Sequence, residues 1–151
     1  LGTLHDKLKK IGAKGLEKAI NLIESGKVIA EKQDESLVTF VKPISKEQEV
    51  IDWSDTKENI YNKIRGLNPF PGALSYYDDQ IIKVYLSEKI DKEYDGEYGE
   101  IVEILNKKGP VVKVKNGGII LKEVKFQGKK SQSGIDIING RKIILNSKFG
   151  K

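Results

Sequence analysis

Leu4, Leu8, Ile11, Leu16, Ile20 and Ile23 recur at the three-to-five-residue spacing that lines one face of an α-helix. Thr3, with Asp6 three residues later, reads as an N-terminal capping box, and Gly26 as the residue that ends the helix. Gly12 and Gly15 weaken its middle, each by about 1 kcal/mol relative to Ala. Nothing long lies nearby to cover the apolar stripe. The pattern therefore predicts a helix docked on a domain that lies mostly upstream of Leu1. Residues 28–30 suggest a short strand. Residues 33–50 are polar and irregular, and only 37–41 alternate like a strand. Pro43, Ser45, Lys46 and Glu47 have the composition of a linker, which puts a domain boundary near residue 50.

Ser54 is a suitable N-cap, and Asp55 adds negative charge to a first turn. Lys57, Ile60, Tyr61 and Ile64 then share one helical face. Gly66 is expected to end this second helix, and Pro69 and Pro71 forbid its resumption. After Ala73 the period changes to two. Residues 74–77 and 81–86 read as a hairpin, 99–105 and 111–115 as another, and 119–126 as a fifth strand. Ser133 can cap a short helix ending at Asn139 and Gly140. The fold class is therefore mainly β with flanking helices. Five short strands fit an OB-like β-barrel better than a split sandwich. The first helix points to a truncated α/β domain.

Composition narrows the chemistry. The chain has no Cys, which excludes disulfides and thiolate metal sites, and its one His has no carboxylates at ligand spacing, so no metal is expected. It contains no Met, which predicts a processed product or a piece of something longer. No apolar run approaches the ~20 residues of a membrane span, and no leader opens the chain, so a cytoplasmic location is expected. The net charge of +5 is unevenly spread. Residues 101–151 hold twelve Lys or Arg against three acids, whereas residues 91–100 hold five acids and one Lys. A basic C-terminal third suggests a polyanion partner such as nucleic acid; a solvated lysine-rich surface is the plainer reading.

Three segments, in order, resemble the methionyl-tRNA formyltransferases. The first is Leu4-His5-Asp6-Lys7-Leu8 through Gly12-Ala13. The second starts at Gln33-Asp34-Glu35-Ser36, passes Ile44-Ser45-Lys46-Glu47 and Ile51-Asp52-Trp53-Ser54, and ends in Ile64-Arg65-Gly66-Leu67-Asn68-Pro69-Phe70-Pro71-Gly72-Ala73. The third is Gly128-Lys129-Lys130, then Asp136-Ile137-Ile138-Asn139-Gly140-Arg141. Phe70 stands where relatives often carry Trp, and Gln132 where they often carry Met.

The resemblance implies a division into three. Residues 1–32 would be the last helix of a Rossmann-like formyltransferase domain, 33–50 a linker, and 51–151 an OB-like tRNA-binding domain. The intact enzyme would move a formyl group from 10-formyltetrahydrofolate to methionyl-initiator tRNA during translation initiation. No position here matches the family's catalytic Asn, His and Asp or its folate loop, so this stretch would bind tRNA, hold no cofactor and catalyse nothing. His5 belongs to the helix-opening motif. Its partners would be initiator methionyl-tRNA and its own N-terminal catalytic domain, with a monomer expected. The alternative is the matching region of another formyl-folate enzyme, of the amino-sugar formyltransferase or formyltetrahydrofolate dehydrogenase type. A generic nucleic-acid-binding barrel is the reading without the resemblance.

The tRNA-binding candidates are Lys42 and Lys46 in the linker, Arg65, Lys107 and Lys108 at a hairpin tip, Lys113 and Lys115, Lys129 and Lys130 in a loop, and Arg141. Glu47 and Glu49 offset the linker's positive charge. Each candidate also has a structural reading. Lys113 and Lys115 alternate with Val112 and Val114, so they can be the wet side of a strand. Arg65 can cap its helix or pair with Asp52. Asn68 to Pro71 reads as a packed turn with Phe70 filling a pocket, and Trp53 as core.

Overall fold

The computed structural model describes residues 2–150, which divide into two compact units, Gly2–Ile44 and a second that begins at Ser45. The first unit is built on helix α1, Gly2–Glu24. Gly26 ends it as expected, at φ +65°, with the Lys27 N–H returning to Leu22 O at 3.0 Å. The helix is already running at Gly2, so Thr3 lies inside it and not at its cap. Neither 28–30 nor 37–41 forms a strand; alternation alone does not make one where no partner strand supplies a ladder. A single 3₁₀ turn occupies Glu35–Leu37, capped by Asp34, whose carboxylate accepts from Ser36 N at 2.9 Å.

The second unit opens with a one-turn helix α2, Lys46–Glu49, inside the stretch expected to be irregular. Helix α3 spans Lys57–Leu67. Its cap is Thr56, whose hydroxyl accepts from Asn59 N at 3.3 Å, and not Ser54. Ser54 is engaged elsewhere. Its N–H and hydroxyl both donate to the Asp52 carboxylate, at 3.0 and 2.6 Å, in a local Asx turn. The helix also passes through Gly66 to Leu67, because Ile60, Ile64 and Leu67 are buried together and packing outweighs the glycine's propensity cost.

All five expected strands are present. They are β1 Ala73–Tyr77, β2 Gln80–Ile90, β3 Ile101–Leu105, β4 Gly109–Val114 and β5 Gly117–Phe126. A two-residue β6, Gln132–Ser133, pairs with β5, and helix α4, Gly134–Asn139, follows. Ser133 caps α4 as expected, in a reciprocal box with Asp136. Pairing is antiparallel throughout, in the order β1-β2-β5-β4-β3. A register shift around Leu86 lets the long β2 bend.

This order leaves β1 and β3 as edges, and the segment after α4 joins them. Ile101 N donates to Ser147 O at 2.8 Å, and Phe149 N to Gly99 O at 2.8 Å, on the β3 side. Gly150 N donates to Tyr76 O at 3.0 Å on the β1 side. Phe149 itself plugs the interior. Its ring centroid lies 5.5 Å from Trp53 and 5.0 Å from Tyr77. Gly99, at φ +87°, leaves room for that approach, since a Cβ there would come within 2.4 Å of Phe149 O. Trp53 is core as expected, and its indole N–H donates to the buried Ser75 hydroxyl at 2.9 Å. Ile82, Val84, Ile101, Val112, Ile119, Leu121 and Val124 complete the filling, all fully buried.

Candidate nucleic-acid interface

Two surfaces of the sheet unit combine cations with shape. The first lies where the β1–β2 turn meets the tail. Tyr77, Asp78, Arg141, Lys142, Ile144, Ser147 and Lys148 line a concavity of about 420 Å³. A smaller hollow shares Tyr77, Asp78 and Lys142 and adds Lys129. The Tyr77 hydroxyl anchors the floor, lying 2.8 Å from Ser147 Oγ and accepting from Ile144 N at 3.2 Å. Arg141 sits at φ +48°, just beyond the Gly140 C-cap of α4. Lys142 donates to Gln132 Oε1 at 2.6 Å, and Lys148 pairs with Glu97. Across the two hollows, which share Asp78 as their lining carboxylate, lie Lys129, Arg141, Lys142 and the Glu97-paired Lys148, an arrangement suited to a phosphate backbone.

The second surface is the outward face of β1, β2 and β5. Alternation in antiparallel strands normally sends polar groups outward. Here Leu74, Tyr76, Ile81 and Tyr85 point out, interleaved with Lys83 and Lys125. A groove of about 710 Å³ runs over them, with α2 (Lys46, Glu49) and the Pro69-Phe70-Pro71 turn as rims. The turn is pinned to β2 twice. Asn68 Nδ2 donates to Tyr85 O at 2.8 Å, and Lys83 Nζ donates to Pro71 O. Gly72, at φ +88°, permits this proximity, because a Cβ there would stand 3.0 Å from the Tyr85 ring. Phe70 does not fill a pocket. The pinned turn holds its ring outward, 76% exposed.

The sequence candidates fall unequally on these surfaces. Arg141 lines the larger concavity and Lys129 the smaller hollow, and Lys130 is exposed beside Lys129 in the same loop. Lys46 lines the groove, while Lys42 is exposed in the first unit. Lys107 is exposed in the β3–β4 turn; its neighbour Lys108 is paired with Glu88, whose carboxyl that hydrogen bond holds below the usual range. Lys113 and Lys115 do not share a strand face. β4 ends at Val114, Lys115 sits exposed in the following turn, and the half-buried Lys113 donates its ammonium to Tyr94 O. Arg65 lies exposed on α3, donating to Asn62 Oδ1 at 2.8 Å over the Tyr61 ring.

Sequence reasoning missed Lys142, Lys148, Lys125 and the exposure of Phe70. Lys142 was adjacent to a chosen residue. Lys148 lies in a tail whose pairing has no periodic signal, and the outward apolar positions of β1 and β2 were visible only once the inward set was known. Among the described residues no group of acids, His or Cys is placed to hold a metal ion, and no helix is long and apolar enough to cross a membrane.

Residues 43–142 match the family described as formyl transferase, C-terminal domain. The chain is 48% identical, over 97% of its length, to a methionyl-tRNA formyltransferase of Fusobacterium nucleatum, and 40% identical, over 99%, to that of Bacillus subtilis. It spans about half the length of these relatives, 48% and 47% respectively. A crystal structure of HypX from Aquifex aeolicus in complex with tetrahydrofolic acid superposes with a TM-score of 0.69 over 88% of this chain and 23% of that one; at 14% identity the likeness is one of fold.

Proposed function

The chain belongs to the formyl transferase C-terminal domain family, and from that premise we propose that it is the tRNA-holding part of a methionyl-tRNA formyltransferase. The intact protein would transfer a formyl group from 10-formyltetrahydrofolate to the amino group of methionyl-initiator tRNA in the cytoplasm. The catalytic and folate-binding residues would lie outside this stretch. Relatives at 34–48% identity, all named methionyl-tRNA formyltransferase, favour this reading over an amino-sugar or folate-dehydrogenase one.

The observation that carries RNA holding is the pair of hollows sharing Asp78, one lined by Arg141, Lys142 and Lys148 and the other by Lys129 and Lys142. Phosphates are natural guests there, and a small neutral substrate gives no reason for cations gathered along both hollows. Lys42, Lys46, Arg65, Lys107, Lys108, Lys113, Lys115 and Lys130 complete the proposed contact set. Lys108 would act after leaving Glu88, and Lys113 is the weakest member because its ammonium is engaged with Tyr94 O.

A filter-binding titration of the chain against tRNA at several salt concentrations tests the reading. Log affinity should fall linearly with log salt, by about 0.7 to 0.9 per phosphate neutralised. Replacing Arg141 and Lys142 with Gln should weaken binding and flatten that slope by roughly one to two units. Binding that ignores salt, or none at low salt, would sink the proposal.

A further inference from the structure

We propose that the outward face of β1, β2 and β5 is a stacking platform for unpaired RNA bases, with Phe70 as the principal surface. The inference rests on the RNA-holding reading above and adds a second mode to it, in which bases and not phosphates are gripped.

Three observations converge. Phe70 is an aromatic ring left 76% exposed on a turn that is rigidly tied down, by Asn68 to Tyr85 O and by Lys83 to Pro71 O. A ring exposed by looseness would have no such anchors. Tyr76 and Tyr85 bring two further rings to the same groove, on either side of the outward Leu74–Lys83 pair of the two strands. Lys46, Lys83 and Lys125 border it. Lys83 is committed to Pro71 O and stands 3.8 Å from Glu49, which leaves the exposed Lys46 and Lys125 as the cations facing solvent on opposite sides.

Rings in a groove bordered by lysines are the chemistry that holds single strands. Every base has a π-face, so stacking tolerates sequence, and ammonium groups track the backbone beside it. A duplex keeps its bases stacked on each other and offers none to Phe70. The ligand is therefore an unpaired stretch, such as a loop or a free end. A protein helix would not require cations on both borders.

The test measures fluorescence anisotropy of a labelled single-stranded RNA 8-mer, a duplex RNA of equal charge, and tRNA against the whole chain. Phe70→Ala should weaken 8-mer binding by about 5-fold to 100-fold, with the salt slope unchanged, since each stacked base contributes roughly 1–3 kcal/mol. Phe70→Trp should keep or raise affinity. Phe70→Leu, apolar but without a ring, should behave like Ala. Duplex binding should not respond to position 70, and Lys125→Gln should flatten the slope by about one unit.

Wild-type 8-mer affinity in a folded Phe70→Ala protein overturns the inference. So does a Leu variant that binds like Phe, or a loss of self-association in the Ala variant with RNA binding intact, which would assign the face to a second copy of the chain. If tRNA binds with the expected salt slope but the 8-mer does not, the platform fails and the electrostatic reading stands. If neither binds, both fail.

Discussion

Helices α1 and α3 carry the same kind of amphipathic pattern, and only α3 buries it. α1 is the longer, 23 residues against 11, yet no residue of it is buried. Leu4, Leu8, Ile11, Leu16 and Ile23 are all more than half exposed, whereas Ile60 and Ile64 of α3 are almost wholly enclosed. What separates them is the company each keeps. α3 lies against β2 and β5, and its first turn is held by Asn116, whose side chain accepts from Lys57 N at 2.8 Å and donates to Glu58 at 2.9 Å. Periodicity announces which face wants cover, and a partner surface decides whether it gets any.

Three measurements would break or sharpen that contrast, and the chain's single Trp makes them clean. Trp53 is buried in the sheet unit, so its fluorescence reports on that unit alone. The largest effect is expected for Phe149→Ala. Losing the ring that touches both Trp53 and Tyr77 should destabilise the unit by about 3–5 kcal/mol in a denaturant titration. A loss under about 1 kcal/mol would mean that the tail merely covers the core.

Ile64→Ala should come next, at roughly 2–5 kcal/mol, while Ile11→Ala in α1 should move the Trp53 transition by less than about 0.5 kcal/mol. Equal effects at the two positions would erase the distinction between the helices.

The smallest effect is acid sensitivity. Glu88, held by Lys108, and Glu103, held first by Tyr94 and then by Lys92, have carboxyls depressed below the ordinary value of 4.5. A depressed carboxyl contributes stability that is present above its unfolded value and lost as pH falls through the folded one. The Trp53 melting midpoint should therefore be steady near neutrality and drop as pH falls below 4.5. Glu88 is about half exposed, so screening by solvent should let Glu88→Gln blunt the drop only slightly.

Much of the sheet was legible because its signals are local. Period-two runs and turn residues locate β1 to β5, and Ser133 with Asp136 locates α4. The failures involve choices that periodicity does not make. Ser54 and Thr56 are both competent caps, and Asp52 decided between them by taking Ser54. Phe70 looked like a plug, but the ties at Asn68 and Lys83 lie 17 and 12 residues from their acceptors. Lys113 and Lys115 alternate correctly, yet β4 stops between them. The basic hollows were half visible, in Lys129 and Arg141, because their other members depend on where the tail folds back.

That tail has a consequence for how the protein is made. A ribosome delivers β1 and β3 long before it delivers Phe149, which must reach back some 50 residues to Gly99 and more than 70 to Tyr77. Until then the β3 margin stands unpaired, while β1 is already met by Ile51 N, which donates to Leu74 O at 2.7 Å, so the nascent chain exposes β3 as a template for pairing with a neighbour. Cells producing this domain would need to shield that margin until Phe149 has been delivered. Slowing synthesis there should raise aggregation more than slowing it anywhere earlier.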